Sequence, residues 1–148
     1  MKTLAILGSA RKESNTLQAL KRLSPMMDYE IIDLLDYRIT PYCYDPTATA
    51  EDDFLPLARR MTEADALVFA TPVYWYAMSG VMKDFFDRLT DLITANKPIG
   101  RALKGRKCYL TACGTDPELP EGFEVPFRRT CDYFDMEFVQ SFYWKSQD

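Results

Sequence analysis

Five short apolar runs, separated by helix-like patterns, constrain this chain more than any other feature. They are about Lys2–Leu7, Tyr29–Leu34, Ala66–Ala70, Lys107–Ala112 and Met136–Tyr143. Runs that are apolar on both faces suit the strands of a parallel sheet covered on both sides. Parallel strands need crossovers, and the intervening segments carry helical signals. The first helix opens near Ser14 or Asn15, places Leu17, Leu20 and Leu23 along it, and stops at Ser24-Pro25. The second puts Phe54, Leu57, Ala58, Met61 and Ala64 on one face, with Pro56 in its first turn and Asp52 or Asp53 as its N-cap. The third runs Met82, Phe85, Phe86, Leu89, Leu92 and Ile93 behind a Ser79-Gly80 cap. On it, Asp84 and Arg88 are spaced as an i, i+4 ion pair. The fourth starts around Gly122, has Pro126 in its first turn and buries Phe127, Cys131 and Phe134.

Strands and helices alternating at these lengths predict one doubly wound α/β domain over residues 1–148. Five parallel strands fit the order 2-1-3-4-5 of the flavodoxin-like fold, whose topological switch point lies between strands 1 and 3. The stretches Tyr37–Ala50 and Thr94–Arg106 read as irregular, and no repeat is visible.

The loops leaving strands 1 and 3 carry the chemistry. After strand 1 comes Gly8-Ser9-Ala10-Arg11-Lys12-Glu13-Ser14-Asn15-Thr16. Gly8 permits a tight turn, Ser9, Ser14 and Thr16 offer hydroxyls, Asn15 an amide, and Arg11 a planar cationic fork. Donors converging before a helix suit a phosphate. The same residues also suit an ordinary helix cap. The loop has neither the Lys-Ser/Thr ending of a triphosphate loop nor G-x-G-x-x-G.

After strand 3 comes Thr71-Pro72-Val73-Tyr74-Trp75-Tyr76-Ala77-Met78-Ser79-Gly80. Pro72 stiffens the exit. Three adjacent aromatics where the chain turns cannot all face the core, so some meet solvent, an interface or a flat ligand. A phosphate loop beside an aromatic loop describes a phosphorylated aromatic cofactor, with flavin mononucleotide (FMN) the first candidate.

Composition removes rivals. There is no histidine, which excludes Ser-His, Cys-His and most zinc chemistries. The hard chemistry of an enzyme here would belong to a cofactor. A net charge of −4 argues against a nucleic-acid surface. No run approaches the roughly 18 apolar residues of a membrane span, and the first run is too short for a secretion signal. The four cysteines form no C-x-x-C pair. Reduced thiols and a cytoplasmic location are the expectation.

The two loops resemble those of the NAD(P)H-dependent FMN reductase family, within the flavodoxin-like superfamily. Gly8–Thr16 is similar to its G-S-x-R-x-x-S-N-T phosphate loop, and Thr71–Arg88 to its T-P-V-Y-x-x-x-M-S-G-x-x-K-x-F-x-D-R segment. Leu103-Lys104-Gly105-Arg106-Lys107, entering strand 4, is similar as well. The resemblance implies that Ser9, Arg11, Ser14, Asn15 and Thr16 hold the FMN phosphate. It further implies that Pro72, Val73, Tyr74 and Trp75 border the ring, and that Cys113 and Gly114 close its other side. Gly114 could instead merely supply a turn with φ > 0.

Relatives called iron–sulfur flavoproteins carry a cysteine cluster where this chain has Ile39–Asp45, and here only Cys43 stands there. One thiolate cannot hold a four-cysteine cluster, so no metal centre is expected. The resemblance implies hydride transfer from NADH or NADPH, through flavin N5, to a small acceptor such as a quinone, azo compound, nitroaromatic or free flavin. No catalytic side chain is required. It also implies a homodimer or homotetramer. The rival is a flavodoxin-type carrier with a protein partner, whose T/S-x-T-G-x-T loop the chain lacks. A phospho-receiver is excluded by Gly8-Ser9 and Thr71-Pro72, where acidic residues would be needed.

Overall fold

The computed structural model describes residues 1–45, 47 and 51–146. Five strands form one sheet, β1 (Thr3–Leu7), β2 (Glu30–Asp33), β3 (Ala66–Pro72), β4 (Lys107–Gly114) and β5 (Glu137–Lys145). Every pairing is parallel and the spatial order is β2-β1-β3-β4-β5. This is the flavodoxin-like order expected from the sequence.

Alternate residues of the central strands feed two cores. Leu4, Ile6, Leu67, Phe69, Leu110 and Ala112 face one side. There they meet Phe54, Leu57 and Met61 of α2 (Phe54–Glu63), Met82 and Phe85 of α3 (Gly80–Arg88), and Phe127 and Cys131 of α5 (Val125–Tyr133). Ala5, Leu7, Val68 and Ala70 face the other side, under Leu20 and Leu23 in and after α1 (Asn15–Lys21). β1 and β3 are buried along their whole length because helices cover both faces.

Strand pairing runs further than the apolar runs suggest. β3 and β4 stay in register through Pro72 and Cys113, so both strands reach into the functional loops. α1 ends at Lys21, ahead of Ser24-Pro25, and α5 begins three residues after Gly122. Thr94–Arg106 is not wholly irregular. It holds the short helix α4 (Lys97–Arg101), and a Cβ on Gly100 would come 2.3 Å from the Leu92 carbonyl. Of the stretch Tyr37–Ala50, Pro46 and residues 48–50 lie outside the described residues.

The expected Asp84–Arg88 pair does not form. Arg88 is turned inward and buried, where it pairs with Asp52 and Asp91, while the i, i+4 pair on α3 is Lys83–Asp87. Helical spacing allowed both partnerships, and burial against Asp52 prevails because a fully desolvated guanidinium needs carboxylates on several sides. Past Arg88 the helix tightens into a 3₁₀ turn, Leu89–Leu92, which leaves Ile93 exposed instead of buried.

Candidate functional site at the strand exits

Parallel pairing brings the carboxyl ends of β1, β3 and β4 to one end of the sheet. Leu7 stands beside Ala70, and Pro72 beside Cys113. The Gly8 N–H donates to the Ala70 carbonyl at 2.8 Å, so the two loops leave the sheet side by side. Gly8 has no positive φ and is not needed for an unusual turn. Its role is closeness, since a Cβ there would lie 2.9 Å from the Met82 Cβ of α3.

The anion loop is built inward and presents its charge outward. Ser9 is buried and its hydroxyl donates to the Arg11 carbonyl at 2.7 Å. The Ser14 hydroxyl caps α1 by accepting from Leu17 N at 3.1 Å, so the capping role is filled. Lys12 reaches across to Asp33, at 2.8 Å, and to Asp36, tying the loop to the end of β2. Thr16 is buried with its hydroxyl 3.4 Å from the Cys113 sulfur, joining the loop to β4. Burial raises the Cys113 pKa against a smaller opposing effect of the Thr16 hydrogen bond, so Cys113 stays a thiol. What remains is Arg11, exposed and without a hydrogen-bonding or ionic partner among the described residues, the Asn15 amide, likewise unpaired among them, and the exposed carboxylate of Glu13.

The aromatic loop is a two-residue hairpin. Tyr74 N donates to the Ala77 carbonyl at 2.9 Å and Ala77 N to the Tyr74 carbonyl at 3.1 Å. Trp75 and Tyr76 between them have φ of 50° and 68°, the type I′ pattern that favours Asn-Gly. Trp75 is 92% exposed, and Tyr74 and Tyr76 are exposed as well. Pro72 is buried and Val73 half-buried at the base, with Val73 N donating to the Cys113 carbonyl at 2.8 Å.

At the β4 exit, Gly114 has no positive φ, so the turn explanation fails. A Cβ there would lie 3.1 Å from both the Tyr143 hydroxyl and the Val73 Cβ, so any larger residue would press on both neighbours. Tyr143 donates to the Asp116 carbonyl at 2.8 Å, and Ser146 N to the Gly114 carbonyl at 2.7 Å. Burial keeps the Tyr143 phenol above its ordinary pKa, with Asp116 adding to the effect. Sequence reasoning missed Tyr143, although its place near the end of the last strand was the available signal.

Sequence reasoning also read Ser79 only as a cap. Ser79 is that cap, accepting from Met82 N at 3.1 Å, but its hydroxyl donates to the Gly8 carbonyl at 2.5 Å. Its backbone N–H donates to the Thr71 hydroxyl at 3.1 Å. A groove of about 960 Å³ lies apart from the strand exits, between α3 and α5, and starts at Met78 beside the hairpin.

The donor set fits FMN. An unpaired guanidinium and amide suit a phosphate, and the exposed aromatic hairpin on the neighbouring exit offers apolar surface to a flat ring. No group of three or more His, Cys, Asp or Glu side chains among the described residues could hold a metal ion. No helix among them is long and apolar enough to cross a membrane.

Known proteins resemble this chain in sequence and in fold. An NAD(P)H-dependent FMN reductase of Pseudomonas aeruginosa is 38% identical over 95 residues, 59% of this chain and 49% of that protein. An iron–sulfur flavoprotein of Archaeoglobus fulgidus is 35% identical over 135 residues, 83% of this chain and 60% of that protein. General stress protein 14 of Treponema denticola, solved in complex with FMN, superposes with a TM-score of 0.66 at 22% identity, covering 100% of this chain and 88% of that one. The chain spans about half to two thirds of the length of the curated relatives it matches. The family model described as NADPH-dependent FMN reductase matches residues 1–116, which include all three strand exits, and the chain therefore belongs to that family.

Proposed function

We propose that the protein is an FMN-dependent oxidoreductase that takes hydride from NADH or NADPH and passes electrons to a small acceptor of the quinone, azo, nitroaromatic or free-flavin class. The observation that carries this reading is the pairing of two loops that leave adjacent strands, one carrying the unpaired Arg11 and the other the exposed Tyr74–Ala77 hairpin. Bound FMN would supply the hydride-accepting N5 and the relay of electrons. The chain's own residues do the rest. Arg11, Ser14 and Asn15 would hold the phosphate, with Ser9 and Thr16 setting the loop from beneath. Pro72, Val73, Tyr74 and Trp75 would border the ring, and Cys113 and Gly114 would flank it. No side chain needs to act as nucleophile or base, which agrees with a chain that has no histidine.

A homodimer or homotetramer would cover the exposed Tyr74, Trp75 and Tyr76, with the groove between α3 and α5 next to them. Light scattering on purified protein measures this. The functional test is anaerobic mixing of FMN-loaded protein with each nicotinamide. Rapid bleaching of the flavin absorbance is expected. If neither nicotinamide bleaches it but a separate reductase protein does, the protein is an electron carrier.

A further inference from the structure

Ser79 touches two of the three strand exits, those of β1 and β3, and the start of α3. It is 1% exposed, begins α3, and lies 71 residues from its partner Gly8. Its hydroxyl donates to the Gly8 carbonyl at 2.5 Å while accepting from Met82 N at 3.1 Å. Its backbone N–H donates to the Thr71 hydroxyl at 3.1 Å, and that hydroxyl donates to the Pro72 carbonyl at 3.0 Å. Donor and acceptor capacities of one small side chain are thus used between the β1 exit and α3, and its backbone reaches the β3 exit.

We propose that Ser79 is a positioning residue that couples the anion loop to the ring-binding loop, so that occupancy of one sets the affinity of the other. This rests on the FMN-binding reading above. The physical basis is the peptide plane. The Gly8–Ser9 bond is trans, so holding the Gly8 carbonyl toward Ser79 turns the Ser9 N–H to the opposite side, away from α3. An anion that orders the Gly8–Thr16 loop fixes that plane, hence the Ser79 hydroxyl, hence the start of α3 and the Thr71-Pro72 exit. Gly8 lies close against Met82, where a Cβ on Gly8 would come within 2.9 Å of the Met82 Cβ and 3.3 Å of its Cα, so a shift of the Gly8 plane is felt at the first turn of α3. A network of buried, mutually satisfied hydrogen bonds transmits such constraint because each unmade bond is costly.

The two halves of FMN provide the probe. Riboflavin binding to the cofactor-free full-length protein is titrated by quenching of flavin fluorescence, without inorganic phosphate and then with saturating inorganic phosphate. FMN is titrated alongside, and thermal melts follow the fold. For the native chain, phosphate should tighten riboflavin binding by at least about 5-fold, the lower end of ordinary coupling between sites. Ser79→Gly keeps an acceptable N-cap but removes the hydroxyl, and should bring the phosphate effect below about 2-fold. Ser79→Thr retains a hydroxyl and should restore it. Thr71→Val removes the acceptor for Ser79 N and should weaken the coupling in the same way, which keeps the test open should Ser79→Gly not fold. A merely structural serine would lower the melting temperature in Ser79→Gly and leave the phosphate effect intact, and that result overturns the proposal. FMN binding with no phosphate effect in the native chain overturns it while sparing the FMN reading. Absence of any flavin binding overturns both.

Discussion

The Arg88 guanidinium, 1% exposed, forks onto the Asp52 carboxylate, itself 3% exposed, and so pins the end of α3 to the residues just before α2. The rest of the fork is also used. Nε donates to Asp91 at 3.0 Å, one terminal nitrogen donates to the Thr40 carbonyl at 3.0 Å, and the group lies 4.8 Å over the Phe54 ring. Removing one member of such a pair strands the other charge in the interior. Asp52→Ala should therefore cost about 3–5 kcal/mol in urea unfolding. Arg88→Lys should recover little of the native stability, because an ammonium cannot span Asp52, Asp91 and Thr40 at once.

The same pair makes the stability of the fold sensitive to acid. Burial pushes the Asp52 pKa up, but hydrogen bonds from Arg88, from the Thr40 and Phe54 amides and from the Thr40 hydroxyl outweigh it and hold the carboxyl at about 2, below its ordinary 3.8. A depressed pKa contributes stability that is fully present above the ordinary value and is lost as pH falls through the folded one. About 2 kcal/mol should disappear between roughly pH 4 and pH 2. Unfolding free energies measured across that window should fall for the native chain and fall less for Asp52→Asn.

Arg11 is exposed and unpaired among the described residues, so its loss touches little of the fold. A charge-assisted bond to phosphate contributes about 1.5–3 kcal/mol. Arg11→Ala should weaken FMN binding roughly 10- to 150-fold with an unchanged melting temperature for the cofactor-free protein. Equal titrations for both proteins would remove Arg11 from the site.

Gly114→Ala tests the third exit. The new methyl would meet the Tyr143 hydroxyl and the Val73 Cβ, each 3.1 Å away, and both residues are tethered by hydrogen bonds. Neither can retreat freely, so about 1–3 kcal/mol of destabilisation is expected in thermal unfolding. FMN titration of the folded variant should show weaker binding, because the added methyl would press on Val73, which the proposed site sets beside the ring.

The fold was legible because its signal is repetitive. Five apolar runs and four periodic segments each carried the same message, the alternation gave a doubly wound α/β domain, and the strand order was the one that the flavodoxin-like fold supplies. Arg88 shows the limit of such reading. Its i, i+4 spacing to Asp84 is local, whereas its actual partner Asp52 lies 36 positions away and is chosen by burial. Gly8 was read as permitting a tight turn, and Gly114 had a turn as its alternative explanation; neither has a positive φ. A sequence displays the absence of a side chain but not the neighbour that crowds it. Ser79 was read as a cap, which it is. Its bond to Gly8 spans two strand exits and has no sequence pattern of its own.

The hairpin at Trp75-Tyr76 places two side-chain-bearing residues in the left-handed region, at a cost of about 1–2 kcal/mol each, in a turn where both rings face outward. Asn-Gly in their place should raise the melting temperature while slowing reduction by nicotinamide. A laboratory selection for heat resistance alone would thus drift toward Asn-Gly and discard both rings along the way. Under the proposed function, durability and ligand handling pull the hairpin in opposite directions.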